Sequence, residues 1–427
     1  MILLYRIFTT ILYPIIVLYF YVRKFRGKED SIRFKEKIFT SNFNISRNIN
    51  SKLIWFHCAS IGEFKSIIPL IDELNKKYKN LDFLVTSVTL SSGKLAEETL
   101  KKYDNVCHRY FPVDVIFIIK KFLKLWKPFA IFLVDSEIWP NLILNAKQNK
   151  IPIALINARL TSKSYSKWML FPKTSKTIFN CFDLCLSSNI ETSEFLKKMN
   201  LKKVLNLGNM KLFSKLEKIE KVDSDEIIFN KKKFWFAMST HEDEETYCLK
   251  VHSILKKNFN EIFLIIAPRH IERVEKIKKI CENFNFSFQI IDKKTSIDKN
   301  KDIIIVNSFG ALPRFLKYAK SVFVGKSLIK KLKSDSGQNP IEAVKLGCKI
   351  YHGPYVSNFK EIYDFLSENK IANKINDPDD LVKFLIDDFN DHKKDDLKNL
   401  SIINNLEKKT LSDTIKNIEI FLFHENF

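Results

Sequence analysis

The acid with the most chemical promise in the sequence is Glu63, in the run Ala59-Ser60-Ile61-Gly62-Glu63. Leu53 to Phe56, just before it, are apolar and β-favouring, as in a buried strand of a parallel sheet. Ile67, Ile68, Leu70, Ile71 and Leu74, just after it, recur at helical spacing. The turn therefore carries a carboxylate from a strand end into the first turn of a helix, where open α/β sheets bind ligands. With a single glycine it is no phosphate cradle. The positive end of the helix is expected to favour the ionised carboxylate, which suits a general base. Taken alone, the turn would equally suit a helix-capping Glu.

Other strand ends carry complementary chemistry. Arg269 and His270 follow the apolar run Ile262 to Ala267 and its Pro268, giving a guanidinium able to hold a phosphate bidentately. Ser239 and Thr240, with the amides after them, make a second expected anion site at the end of Phe234 to Met238. Glu342, just past Pro340, has the reach to accept from ribose hydroxyls, and Lys211, after Gly208-Asn209, can offset charge on a leaving group. Each has a structural alternative: a surface ion pair for Arg269 and Lys211, a cap for Ser239, a first-turn acid for Glu342. Their placement at successive strand ends is what favours a shared site.

The elements that must position them alternate throughout. Expected strands are Phe83 to Val88, Phe129 to Val134, Pro152 to Ile156, Leu184 to Ser187 and Val204 to Leu207. A second alternating half starts at Phe234 and continues through Ile303 to Val306, Ser321 to Val324 and Lys349 to His352. Such alternation predicts parallel, doubly wound sheets. At 427 residues two domains are expected. The boundaries predicted are residues 1–28 as an anchor with basic flank, 29–212 as a first Rossmann-like domain, 213–230 as a linker, 231–404 as a second Rossmann-like domain, and 405–427 as a helix returning to the first. Ser41 to Ser51 reads as a polar linker and Lys94 to Tyr103 as a helix.

Lys+Arg 71 against Asp+Glu 49 give a net charge of +22. Lysines and acids interleave along helical faces, which favours solvated surfaces, an anionic membrane or a phosphorylated substrate over a nucleic-acid groove. The seven cysteines show no CxxC and no Cys/His zinc spacing, so core thiols and no metal are expected. Asp223-Ser-Asp225 superficially resembles a metal-binding pair but lacks a buried strand before it. Nine glycines, where average usage gives roughly thirty, are expected to sit where a side chain cannot fit. Ile7 to Val22 is apolar apart from two threonines, with Arg23, Lys24, Arg26 and Lys28 after it. It reads as an N-terminal anchor, spanning the membrane or lying in its interface, with the basic flank on the cytoplasmic side against anionic lipids.

Eight motifs occur in order: WFHCASIGE, DSEIWPN, NARL, GNMK, STHEDEE, APRH, FVGKSL with GQNPIEA, and GPYVSNFKEI. Together they resemble the 3-deoxy-D-manno-oct-2-ulosonic acid (Kdo) transferases of lipopolysaccharide synthesis, over most of the chain. The resemblance implies a GT-B glycosyltransferase, an α/β fold of two Rossmann-like domains facing a cleft. It implies inverting, metal-independent transfer of Kdo from CMP-Kdo to a lipid A precursor (lipid IVA), with no cofactor, at the cytoplasmic face of the inner membrane. It places the base on Glu63, and the transition-state-stabilising acid and lysine on Glu137 and Lys211. Donor contacts fall on Ser239, Thr240, Pro268, Arg269, His270, Gly310, Ala311, Leu312, Ser327, Asn339, Pro340, Ile341 and Glu342, and acceptor-side residues on Ser60, Gly62 and Arg159.

The chain departs from the family pattern at Asp243 and Lys326, where Gly is usual, at Gln338, where His is usual, and at Ala311 and Asp135, where Glu is usual. Two alternatives stay open on sequence: another membrane-associated GT-B transferase using a UDP-sugar and a lipid acceptor, or a membrane-tethered binding protein with a degenerate cleft.

Overall fold

A computed structural model describes residues 1–43, 50–213, 223–390 and 396–423. Parts of the expected linkers at 41–51 and 213–230, and the last residues of the expected terminal helix, lie outside the described residues. The chain divides into two compact units, Met1–Ser214 with Glu407–Phe427, and Lys215–Leu406.

The first unit is built on seven parallel strands: β1 Lys52–Cys58, β2 Leu81–Ser87, β3 Val106–Tyr110, β4 Ala130–Val134, β5 Ile153–Ala158, β6 Leu184–Ser187 and β7 Val204–Asn206. Their order is β3-β2-β1-β4-β5-β6-β7. The chain runs outward from β1 to β3, then returns to lay β4 on the other side of β1, so the order reverses between β1 and β4. That reversal opens a crevice beyond the carboxyl ends of these two strands. β1 and β4 are apolar and almost wholly buried because helices cover both faces of the sheet.

The second unit repeats the plan with β8 Lys233–Thr240, β9 Ile262–Pro268, β10 Phe288–Ile291, β11 Ile303–Val306, β12 Ser321–Val324, β13 Lys349–His352 and β14 Ala372–Lys374. The order is β10-β11-β9-β8-β12-β13-β14, with the reversal between β8 and β12. Two such sheets make this a GT-B fold.

Several expectations are corrected. The apolar stretch at 7–22 is not one helix: Ile2–Ile11 and Tyr13–Phe25 meet at a 56° bend. Pro14, in the first turn of the second helix, cannot continue the hydrogen bonding of the first. Among the described residues no single helix is long and apolar enough to cross a membrane, although the bent pair together is, by length and composition. Part of the expected 213–230 linker is the helix Asp223–Lys231. It is held because Asp225 is buried in a bidentate pair with Arg314, and Phe229 stacks on Tyr318 and packs at a tilt against Phe234. The helix expected from Lys94 begins earlier, at Leu90, because Thr89 caps it through a reciprocal bond with Ser92. Three edge strands, β3, β10 and β14, are not among the expected strands.

The C-terminal helix Asp396–Phe423 is longer than expected. Its last turns lie on the first unit, with Phe421 edge-on to Phe132 and Phe423 against Tyr78.

Candidate active site

The crevice between β1 and β4 gathers three carboxylates. Ser60 is the N-cap of the helix Ile61–Lys77, its hydroxyl oxygen accepting from the Glu63 amide at 3.3 Å. Glu63 answers with its side chain: Oε2 accepts from the Ala59 amide at 2.7 Å and Oε1 from the Ser60 hydroxyl at 2.8 Å. Its carboxyl is pushed up to about 7, first by burial and then by the Asp135 charge. The expectation that the helix end would favour ionisation is therefore corrected. Desolvation by the surrounding core and a neighbouring carboxylate outweigh a partial charge that is itself spent on hydrogen bonds. A base titrating near neutrality is the better for proton abstraction. Gly62 is not confined: a β-carbon there would meet nothing within 4 Å.

The loop after β4 supplies Asp135 and Glu137. Asp135 is buried, adopts a left-handed φ of 64°, and pairs through Oδ2 with the Lys211 ammonium at 3.1 Å. Lys211 is brought there by the NARL and GNMK segments acting together. Asn157 Oδ1 accepts from the Met210 amide at 2.8 Å, fixing the turn that carries Lys211. The Arg159 amide donates to the Asp135 carbonyl at 3.2 Å. Asp135 and Arg159 also line a cavity of about 140 Å³ walled by Ile138, Leu155, Trp168 and Phe179. Glu137 Oε2 accepts from Trp139 Nε1 at 2.8 Å and faces His57 Nε2 at 3.1 Å. Burial alone would raise the Glu137 carboxyl, but the His57 hydrogen bond and charge, with Trp139, hold it below its ordinary value. Two acids in one crevice are thus pushed apart, one toward proton uptake and one toward permanent charge.

The matching crevice of the second unit, between β8 and β12, is built around a residue that sequence reasoning passed over. Glu244 opens the helix Glu244–Asn258 and is buried. Its carboxylate accepts from four backbone amides: His241 at 2.9 Å, Lys326 at 2.7 Å, Ser327 at 2.8 Å and Leu328 at 3.0 Å. The amides after Thr240, expected to hold a ligand anion, begin with one that already holds this internal one. Gly325 is required beside it, since a β-carbon there would lie 2.7 Å from Thr240 Cα and 2.8 Å from Glu244 Oε2. Asp243 and Lys326 have φ of 75° and 59°, so each takes the left-handed conformation that glycine would favour.

The expected hydroxyl contacts are also corrected. Thr240 is buried and donates to Glu245 at 3.1 Å. Ser327 is buried, donates to the Val324 carbonyl at 2.7 Å and accepts from the Gly353 amide at 2.9 Å. Both hydroxyls build the loops and are not presented to a ligand. Pro268, Ala311, Pro340 and Ile341 are buried as well. Asn339 folds its Oδ1 onto the Ile341 amide at 3.1 Å, and Glu342 and Leu312 are half-buried. Exposed are Arg269, His270 and Gly310. Arg269 precedes a short 3-10 turn, Ile271–Arg273, instead of entering a helix directly. The His270 ring lies 5.7 Å from that of His241. Burial, with the charges of Lys326, His270 and Arg269, pushes the His241 imidazole down to about 4. These four side chains therefore lie close together, and Arg269 and Lys326 carry the positive charge while His241 is kept neutral.

Residues 33–214 match the family described as 3-deoxy-D-manno-octulosonic-acid transferase (kdotransferase). A 3-deoxy-D-manno-octulosonic acid transferase of Rickettsia bellii (strain RML369-C) is 31% identical over 390 residues, 90% of this chain and 89% of its own length. The chain belongs to the 3-deoxy-D-manno-octulosonic acid (Kdo) transferase family. The Kdo transferase of Haemophilus influenzae (strain ATCC 51907 / DSM 11121 / KW20 / Rd) is 28% identical over 77% of this chain and 77% of its own length. In fold alone, the chain is similar to a glycosyltransferase from Rickettsia africae ESF-5, at 10% identity and a TM-score of 0.58 over 88% of this chain and 100% of that one. A UDP-GlcNAc 2-epimerase from Neisseria meningitidis gives 14% identity and 0.57 over 87% of this chain and 99% of that one. For a Kdo transferase, the expected catalytic trio of Glu63, Glu137 and Lys211 comes together in one unit around Asp135. His57 is the unforeseen member of that crevice, and Glu244 and His241 are the unforeseen residues of the second unit's crevice. A polar residue inside an otherwise apolar buried strand was the signal for His57.

Proposed function

We propose that the protein transfers Kdo from CMP-Kdo to the primary hydroxyl of a lipid A precursor, lipid IVA, by an inverting, metal-independent displacement. The observation that carries this reading is the pair of acids in the first crevice: Glu63 pushed up to about 7 and Glu137 held below its ordinary range. Glu63 takes the proton of the acceptor hydroxyl, and that oxygen attacks the anomeric carbon as the cytidine monophosphate leaves with its bonding electron pair. Glu137, kept anionic, faces the positive charge that grows on the sugar in the transition state. Lys211 stays paired with Asp135 until charge develops on the leaving side. Arg269 and His270, with Lys326 beside them, hold the donor's phosphate.

The acceptor is an anionic lipid, and the N-terminal helices fit that partner. Leu4, Phe8, Ile11, Ile15, Leu18 and Phe25 are exposed along them, followed by Arg26 and Lys28. Tyr5 donates to Asp114 at 2.9 Å and Tyr13 packs edge-on against Phe117, so their inner faces belong to the first unit. We read them as lying in the cytoplasmic interface of the inner membrane, apolar side toward lipid. Incubation of the purified protein with CMP-Kdo and lipid IVA should release cytidine monophosphate and add Kdo to the lipid, counted by mass spectrometry. Release of UDP from a UDP-sugar in its place would transfer the protein to a different donor class.

A further inference from the structure

His57 is buried, titratable, and has no part in the displacement just described. We propose that it is a positioning residue, the last link of a one-directional hydrogen-bond relay that aims and orients Glu137. This rests on the reading of Glu137 given above.

The direction of the relay follows from what each group can do. The buried Trp55 indole N–H can only donate, and it donates to Thr86 Oγ1 at 2.9 Å. The Thr86 hydroxyl, itself fully buried, then has its own hydrogen to give, and His57 Nδ1 lies 3.0 Å away. A neutral imidazole accepting at Nδ1 carries its hydrogen at Nε2, the atom 3.1 Å from Glu137 Oε2. In the imidazolium form Nδ1 donates to the Thr86 carbonyl at 3.2 Å, and Nε2 still donates to Glu137. Glu137 therefore receives a hydrogen bond in either charge state. The ring plane is fixed too: His57 stacks on Phe111 with centroids 3.7 Å apart and planes 19° from parallel.

Trp139 donates to the same oxygen at 2.8 Å, so Oε2 is clamped by two N–H groups on rigid aromatic rings. Oε1 is left as the oxygen outside the clamp. The ionisable groups whose charges reach this carboxyl are His57 on β1, the Cys58 thiol beside it, and Glu63 on the Ile61–Lys77 helix. Asp135, on the same loop, is paired with Lys211 and directs its charge at Glu63. Without the His57 donor, burial would dominate and Glu137 would gain a proton at higher pH.

The test uses the full-length protein in detergent, with kcat followed against pH for His57→Phe, His57→Gln and Glu137→Gln. His57→Phe keeps the ring on Phe111 and removes both nitrogens. It should lower kcat about 10- to 100-fold with little change in the acceptor KM. It should also bring a second ionisation into the acid limb. His57→Gln, which can still donate, should recover most of the rate and restore the single limb. Thr86→Val, which breaks the relay one link earlier and leaves His57 in place, should shift the limb in the same direction by less. A wild-type pH profile in His57→Phe or, should that variant not fold, in Thr86→Val would overturn the relay. So would a folded His57→Gln no more active than His57→Phe. Full activity of Glu137→Gln would overturn the role of Glu137 itself, whereas loss there with unshifted His57 and Thr86 variants would overturn only the relay.

Discussion

The two units share one strand plan and put opposite electrostatics at the same topological position. Where the order reverses between β1 and β4, the loops present Glu63, Asp135 and Glu137, offset by Lys211. Where it reverses between β8 and β12, the carboxylate of Glu244 is turned inward onto four amides, and the outward side chains are Arg269, His270, His241 and Lys326. Each crevice begins as a set of strand ends and helix N-termini that would attract an anion. In the first, that attraction is used to seat a base whose buried surroundings keep it close to neutrality. In the second, the Glu244 carboxylate occupies the amides and leaves Arg269 and Lys326 as the charged groups beside a neutral His241. A parallel sheet thus supplies the place, and a few side chains decide whether it presents carboxylates or cations.

The largest effect should come from removing the base. Glu63→Gln is expected to lower kcat/KM by about 10²- to 10⁴-fold, measured as Kdo transferred to the lipid. The same change should stabilise the fold at pH 8. Folding raises the Glu63 pKa from 4.5 to about 7, so the ionised group costs stability above pH 7, and this cost fades as pH falls toward 4.5. Urea unfolding at pH 8 should show a gain on the order of 1–3 kcal/mol for Glu63→Gln, absent at pH 4.5. Equal activity or a loss of stability at pH 8 would break the contrast between the two crevices.

Next in size is the internal anion. Glu244→Gln sets an amide N–H₂ against backbone N–H donors and should cost on the order of 3 kcal/mol, read from the denaturant midpoint. Donor KM should rise with it, because the Gly325–Leu328 and Ser239–His241 loops lose their shared partner. Arg269→Ala is expected to raise the donor KM about tenfold or more, leaving the unfolding midpoint within about 0.5 kcal/mol. The smallest effect sharpens the comparison at one backbone position. Lys326→Gly relieves a left-handed lysine and should leave stability unchanged or raise it by up to about 1 kcal/mol, with a few-fold rise in donor KM. A loss exceeding 1 kcal/mol would show that the Lys326–Asp335 ion pair, at 3.0 Å, matters more than the backbone strain.

Much of this was legible in the sequence, because the signals were local. Leu184–Ser187, Ile303–Val306, Ser321–Val324 and Lys349–His352 are short apolar runs, and they are strands with those bounds. Ser60 and Glu63, three residues apart at a strand end, fold as a cap and its reciprocal acid. What was not legible depended on partners distant in sequence. Asp225 is helical because Arg314 reaches it across 89 positions. Ser327 had the right residue type for a ligand contact, yet its hydroxyl accepts from the Gly353 amide 26 positions on; Thr240 is an exception, its hydroxyl taken by the nearby Glu245. The raised pKa of Glu63 was missed for the same reason: the helix end is local, whereas the burial and the Asp135 charge that outweigh it are tertiary. Asp243 and Lys326, which stand where the family pattern has Gly, keep a glycine's left-handed conformation. In a chain with nine glycines this is a recurrent solution, repeated at Lys127, Asn157 and Ser239 among others.

The pH dependence of kcat/KM for Kdo transfer, measured on the wild-type protein from pH 5 to 9, bears most directly on the role of Glu63. A base that ionises near pH 7 predicts a rate that is level above that value and falls tenfold per unit below it. A rate that stays level down to pH 5 would mean that the acid poised in the first crevice takes no proton from the acceptor.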